Sequence, residues 1–277
     1  MQHDMVRKSR SRYEPRHAAS LTLTTLLVKR KGALLGAPTV GQGPLRHELS
    51  MVSPDLRAKR GAGLEGSIYA GLDALTSEHL GREWRREDGT YLRIARCLID
   101  ANWGSSTDVV YQFSRQSPHA AVLMPSHGRF VGASSLPFSE YKHKRGDRVG
   151  HNWRIPSVSG RRVVRHVVYD TNFWKSFVHT RLAVAMGDKG CLSLFGKSPD
   201  THRLFAEHLC AEYCVQTQGR GRTVDEWKIK PAQFDNHWLD CLVGCAVAAS
   251  MDGITLDGTG PRGLQPQRVV YRLRRRR

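Results

Sequence analysis

The chain is predicted to fold as an α/β layered domain, and three observations carry that expectation. Between residues 64 and 250, short apolar runs suited to strands alternate with amphipathic stretches suited to helices. Asp100 and Asp170 each follow directly on an apolar strand-like run, the position where ligands gather in such sheets. The last apolar stretch, residues 237–250, is rich in Ala, Gly and Cys, which lets a helix backbone pack close against a sheet.

The elements are expected in this order. Leu21 to Leu27 makes at most a short strand in an otherwise aperiodic segment punctuated by Gly32, Gly36, Pro38, Gly41, Gly43, Pro44 and Pro54. Ile68, Leu72 and Leu75 recur at helical spacing through residues 65–80. Residues 91–99 read as a strand ending in Asp100. Ser105, Ser106, Thr107 and Asp108 offer cap chemistry to a helix carrying Val109, Val110 and Phe113. Residues 120–124 form a second apolar strand leading into Pro125-Ser126-His127-Gly128-Arg129, and residues 131–152 a basic loop. A strand over 161–169 ends at Asp170, and a helix over 171–185 carries Trp174, Phe177, Val178 and Leu182. A strand at 191–195, a helix at 201–214 and a strand at 226–230 precede the final helix. The domain is therefore bounded at 64–252, between a basic, poorly patterned segment 1–63 and a basic tail 253–277.

Lys and Arg outnumber Asp and Glu by 43 to 25, a formal charge of +18. Such a field favours polyanions, nucleic acid first among them. No apolar run has the length of a membrane span, and the first residues lack the pattern of a secretion signal. A cytoplasmic protein with reduced thiols is expected. Cys210/Cys214 and Cys241/Cys245 are spaced by four, too wide for the usual zinc pairs, so buried helical cysteines are the better reading.

The richest stretch is Asp235-Asn236-His237-Trp238-Leu239-Asp240-Cys241. His237 and Asp240 stand three apart and share a helix face. Charge at the start of a buried helix is costly unless compensated, and a bound cation is one compensation. Asp235 suits the helix cap. Asp100, Asp170, His237 and Asp240 together form a donor set for Mg²⁺ or Mn²⁺, the ions that assist phosphodiester hydrolysis. Asp170 reads equally well as a helix cap. Lys142, Lys144, Arg145 and Arg148, with Arg161 and Arg162, either track a DNA backbone or form a solvated loop. The same two readings apply to Arg220 and Arg222.

The stretch Ile99-Asp100-Ala101-Asn102-Trp103-Gly104, followed by Val109-Val110-Tyr111 and Phe113, resembles a segment of lambda-type phage terminase large subunits. The resemblance continues at Asp170-Thr171 with Lys175, at Leu209-Cys210-Ala211-Glu212, at Trp227-Lys228 and at Asn236-His237-Trp238-Leu239-Asp240-Cys241. It implies an RNase H-like fold, a mixed sheet flanked by helices, and a metal-dependent endonuclease that cuts concatemeric DNA for genome packaging. By the same resemblance Asp100 and Asp240 are catalytic metal ligands, and His237 stands where the family carries Glu, as ligand or base. Lys175 would meet DNA. Implied partners are double-stranded DNA, the terminase small subunit and the portal, in the host cytoplasm.

Two family features are missing from the sequence. There is no Gly-x-x-x-x-Gly-Lys-Ser/Thr phosphate loop, hence no packaging ATPase motif. The family's first catalytic Asp lies on a strand upstream of the helix at 65–80. Residues 1–60 offer only Asp4, Glu14, Glu48 and Asp55, none after a convincing apolar strand. The sequence thus reads as a C-terminal fragment whose first strand is missing or replaced by unrelated sequence, either a prophage remnant or a misread start, with one metal ligand lacking. The alternatives are a non-catalytic DNA-binding or assembly remnant and a resolvase-like nuclease acting on junctions.

Overall fold

Short strands dominate this fold because polar residues or glycine soon follow each apolar run. The computed structural model of the chain describes residues 27–29, 33–35, 63–85, 91–102, 104, 107–158, 164–186, 188, 190–192, 194, 198–231 and 236–253. Arg161, Arg162 and Asp235 lie outside them.

In chain order the elements are β1 (Leu27–Lys29), β2 (Ala33–Leu35), α1 (Gly63–Leu80), β3 (Trp84–Arg85), β4 (Tyr91–Leu92), β5 (Cys97–Asp100) and α2 (Thr107–Gln116). Then come β6 (Leu123–Arg129), β7 (Arg148–Gly150), β8 (Trp153–Ile155), β9 (Val167–Asp170) and α3 (Thr171–Leu182). The last are α4 (Arg203–Leu209), β10 (Glu212–Gly219), β11 (Arg222–Ile229) and α5 (His237–Met251).

Five strands form the central mixed sheet in the order β5-β6-β9-β8-β7. β5, β6 and β9 are parallel, and β8 and β7 are antiparallel additions. The register places Asp100 opposite Ser126 and Arg129 opposite Asp170, so the three parallel strands run the same way with β5 ending three residues short of the Arg129–Asp170 row. The β1–β2 hairpin lies beside β5 and α5. Fold class therefore agrees with the sequence: an α/β mixed sheet flanked by helices, compatible with an RNase H-like domain.

Alternation decides which side chains meet which helix. Tyr169, Trp153 and Gly128 share the face covered by α5, where Trp153 Nε1 donates to Ser250 Oγ at 3.0 Å. His127 points to the opposite face, where Tyr111 of α2 meets it. The core between these layers includes Leu98, Ile99, Val110, Phe113, Val167, Trp174, Leu239 and Ala246, all fully buried. Trp174 adds a hydrogen bond from its indole nitrogen to Asn152 O at 3.3 Å, joining α3 to the turn between β7 and β8.

Several expected elements form differently. The run 91–99 is split: Tyr91–Leu92 pairs with Trp84–Arg85, and only Cys97–Asp100 enters the sheet. The intervening arginines take surface partners instead, Arg93 with Glu83 at 2.8 Å and Arg96 with Asp252 at 2.5 Å. The basic loop 131–152 ends in a strand, because a two-residue turn with Asn152 at φ 54° folds β7 back on β8. The helix expected over 201–214 stops at Leu209, and Glu212–Gly219 enters an antiparallel ribbon with Arg222–Ile229. Arg220 and Gly221, both at positive φ, make its turn. Cys210 and Cys214 are consequently exposed rather than buried on a helix. Residues 191, 192 and 194 are not in a strand.

Asp170 caps α3, accepting from the backbone N–H groups of Asn172 at 3.0 Å and Phe173 at 3.2 Å. Of its two expected roles, the cap is the one its contacts display. Burial raises its pKa from 3.8 to about 6, against the opposing pull of the two capping bonds and Arg222. The folded state thus binds the proton more tightly than the unfolded chain. Its contribution to stability is fully present below pH 4 and is lost as pH rises through 6, a change of about 2–3 kcal/mol. Asp170→Asn keeps a capping oxygen without the charge. Urea midpoints measured from pH 4 to 7 should fall less steeply in Asp170→Asn than in the unchanged protein; parallel curves would refute this assignment.

Candidate active site

The site lies where β5 ends and α5 begins. Asn236 heads α5, but its side chain does not cap the helix; Nδ2 donates to Glu212 Oε1 at 2.5 Å. Asp240 follows in the first turn of the helix, where the N-terminal dipole favours a carboxylate. Its Oδ1 lies 3.2 Å from Lys175 Nζ, and the same ammonium lies 2.5 Å from Glu212 Oε1. Burial alone would lower the Lys175 pKa, but Asp240 and Glu212 more than offset it and hold the lysine charged.

Asp100 approaches the same place from β5. Tyr169, 6% exposed on the neighbouring face of β9, registers both carboxylates. Burial first, then the charges of Asp100 and Asp240, push its phenol well above the ordinary value. Gly128, opposite Tyr169 on β6, keeps this corner open. A Cβ there would stand 2.7 Å from Thr171 Cγ2 and 3.3 Å from the Tyr169 hydroxyl.

Behind Asp100 runs a chain of hydrogen bonds that links both layers. The Asn102 N–H donates to Asp100 Oδ1 at 3.4 Å, and Asn102 Nδ2 donates to Gly128 O at 3.1 Å. His127 Nδ1 lies 2.9 Å from Asn102 Oδ1, and the Tyr111 hydroxyl lies 2.8 Å from His127 Nε2. One tautomer satisfies every partner, with Nδ1–H donating to the amide oxygen and Nε2 accepting from Tyr111. Burial, and then the nearby His166, lower the His127 pKa and keep that neutral form.

The expected residues divide into groups. Asp100 and Asp240 converge on Tyr169. His237 is 4% exposed at the start of α5, its ring 5.9 Å from that of His208 on α4. Lys175 is 8% exposed and held in an internal ion pair, not presented to a phosphate. Arg222 grips the loop after β6, donating to Gly132 O at 2.9 Å and to Ser135 O. Arg220 stays exposed at the ribbon turn, beside the same loop. Lys142, Lys144 and Arg145 are exposed but belong to the segment entering β7. Among the described residues no group of three or more His, Cys, Asp or Glu is placed to hold a metal ion.

Sequence reasoning missed Tyr169, which reads as core because it sits in an apolar strand. It also missed the Tyr111–His127–Asn102 chain, whose members come from three separate elements. Arg129, exposed and in register with Asp170, lay beyond the strand expected at 120–124; the strand runs instead over Leu123–Arg129 and ends on it.

The ion pair supports a direct prediction. Lys175→Met leaves Glu212, whose side chain is 3% exposed, and Asp240 without their cation. Unfolding in urea should show a loss of about 3 kcal/mol, and adding Glu212→Gln should recover part of it. Equal stability of Lys175→Met and the unchanged protein would show that the pair carries no such weight.

Residues 68–258 match the family described as terminase large subunit gpA, endonuclease domain. No curated protein and no solved structure matches the chain. The matched residues make up well over half of the 277 and include β5, β6, β9, α3 and α5, the elements that build the corner around Tyr169. The chain belongs to the terminase large subunit gpA endonuclease-domain family.

Proposed function

We propose that this phage terminase nuclease domain hydrolyses double-stranded DNA with the help of a divalent ion, Mg²⁺ or Mn²⁺, at Asp100 and Asp240. The observation that carries the reading is that α5, with Asp240 in its first turn, packs against β5, which ends in Asp100, so carboxylates from two elements flank one junction, and both push the phenol of Tyr169 upward. Hard divalent cations accept one or two carboxylates when water and substrate phosphate supply the other ligands, so the donor set fits. When bound, such an ion would activate water and neutralise charge on the phosphate. His237, buried against His208 at the head of α5, does not join these two carboxylates in a three-donor group among the described residues.

The chain's own residues would do the rest. Asn102, fixed by His127 and Gly128, orients the Asp100 carboxylate. Lys175 holds the Asp240 carboxylate on its Oδ1 side. Exposed Arg129 and Arg220 lie at this end of the sheet and would steer a phosphodiester towards the carboxylates. Excess positive charge supports DNA as the substrate. Genome packaging, the small subunit and portal as partners, and action in the host cytoplasm belong to this proposal through the family. Among the described residues no helix is long and apolar enough to cross a membrane.

One observation favours the second reading, a DNA-binding remnant that does not cut: Lys175 already balances part of the Asp240 charge. Incubation of the full chain with supercoiled plasmid and Mn²⁺ or Mg²⁺ separates the two. Nicked or linear product should form, and Asp100→Ala and Asp240→Ala should each lower the rate at least about 100-fold. Plasmid bound but intact at every ion concentration would leave the remnant standing, and cleavage only of four-way junctions would favour a resolvase-like enzyme.

A further inference from the structure

Among the described residues, the densest run of basic side chains lies across the sheet from the carboxylates. Lys142, Lys144, Arg145 and Arg148 fall within seven residues, and all four are exposed. Arg148 opens β7, which runs parallel to β5 through two antiparallel steps. Arg148 pairs with Ile155, one step beyond the Arg154–Val168 pair, so it enters the sheet in the row of Val167, Ser126 and Asp100 and is separated from Asp100 across the sheet rather than along it. β5 and β7 are also opposite edges of the sheet. Four strand spacings separate them, about 19 Å.

A chain stretch with four like charges would ordinarily be splayed by repulsion. This one is tied to a single carboxylate. Asp147 Oδ2 accepts from the Tyr141 hydroxyl at 3.0 Å and the Lys144 N–H at 2.8 Å, and Oδ1 accepts from the Ser157 N–H at 2.6 Å. The Asp147 N–H returns a bond to Lys144 O at 3.0 Å, closing the turn. Gly146 sits at φ +92°, where a Cβ would also stand 2.8 Å from Ser157 Oγ. The Arg154 guanidinium lies over the Tyr141 ring, 3.6 Å from its centre, and anchors the turn to β8. The one acidic side chain between the four cations faces its own turn.

We propose that residues 141–148 are a second contact for the DNA backbone, preformed and separate from the carboxylate centre, and that Asp147 is its positioning residue. The inference rests on the reading that duplex DNA is the substrate. At 3.4 Å per base pair, about 19 Å corresponds to roughly six base pairs, so the two contacts fall on different parts of the duplex. A turn shaped in advance presents its cations without the ordering cost that a loose loop would incur on binding.

Fluorescence anisotropy of a labelled 30-base-pair duplex, titrated with the full chain at several salt concentrations, tests this. Asp147→Ala raises the net charge by one, so electrostatics alone predict tighter binding. The proposal predicts the reverse, a loss of about five- to tenfold. Gly146→Ala leaves the charge unchanged and should weaken binding similarly. Asp147→Asn, retaining one acceptor oxygen, should fall between. Replacing Lys142, Lys144 and Arg145 together by Ala should flatten the salt dependence by about two to three units. Unchanged or tighter binding by Asp147→Ala and Gly146→Ala overturns the positioning role. An unaltered salt slope in the triple variant overturns the contact itself. No binding by the unchanged chain overturns this proposal together with the DNA substrate, whereas binding without cleavage refutes only the nuclease reading.

Discussion

The carboxyl end of this sheet depends on one buried cation. Lys175 of α3 reaches Glu212, the first residue of β10, and Asp240 in the first turn of α5. Three elements distant in sequence are thus joined through one ammonium. Charges taken from water are tolerated only when paired and hydrogen-bonded, and Glu212 has both, with Lys175 on Oε1 and the Asn236 amide beside it. Without that lysine, two carboxylates would face each other where α5 meets the ribbon. The orientation of α5, and with it of Asp240, follows from this pairing.

Other polar contacts extend the same frame outward. Asn172, the second residue of α3, donates to Val131 O at 3.3 Å and accepts from the Trp227 N–H at 2.9 Å. It holds the loop after β6 and the ribbon strand β11 against one helix. Trp227 stacks on His179, with ring centres 4.2 Å apart, and donates to Ser176 Oγ at 2.8 Å. Glu226 receives the Ala133 N–H at 3.1 Å. These bonds explain why the ribbon turn carrying Arg220 lies beside the end of β6. A two-stranded ribbon is marginal alone, and here α3 supplies its missing support.

The layered fold was legible because its signals are local. Ile68 and Leu72 face the core at helical spacing, and Leu98 and Ile99 fill a strand that ends in Asp100, as periodicity predicts. What sequence reading lost depends on tertiary partners. Arg93 and Arg96 leave the strand because Glu83 and Asp252 await them from outside the run. The strand expected at 226–230 falls in the second half of β11, but its partner β10 was hidden because the polar run Gln216, Thr217 and Gln218 has no apolar face to betray it. Of the site, Asp100 and Asp240 stood out as carboxylates at element ends. Lys175 was recognised as important but given the wrong neighbour. It is buried in α3 with its ammonium on Glu212 and Asp240, and nothing in the sequence marks an inward lysine. Asp147 gave no signal, since a lone acid in a basic loop reads as solvated.

The unequal sharing of Lys175 bears on what Asp240 can do. Its contact with Glu212 is 2.5 Å, and with Asp240 3.2 Å. The side chain of Glu212 is 3% exposed and that of Asp240 29%, so Glu212 has the greater need of the cation. The ammonium therefore serves first to neutralise the buried acid and only second to orient the more accessible one. Asp240 keeps contact with solvent while one of its oxygens is fixed. Asp100 reaches comparable order by another route, a backbone N–H from Asn102 braced through His127 to Tyr111. An ionic contact thus reaches Asp240 and a neutral N–H reaches Asp100, and both carboxylates act on the phenol of Tyr169.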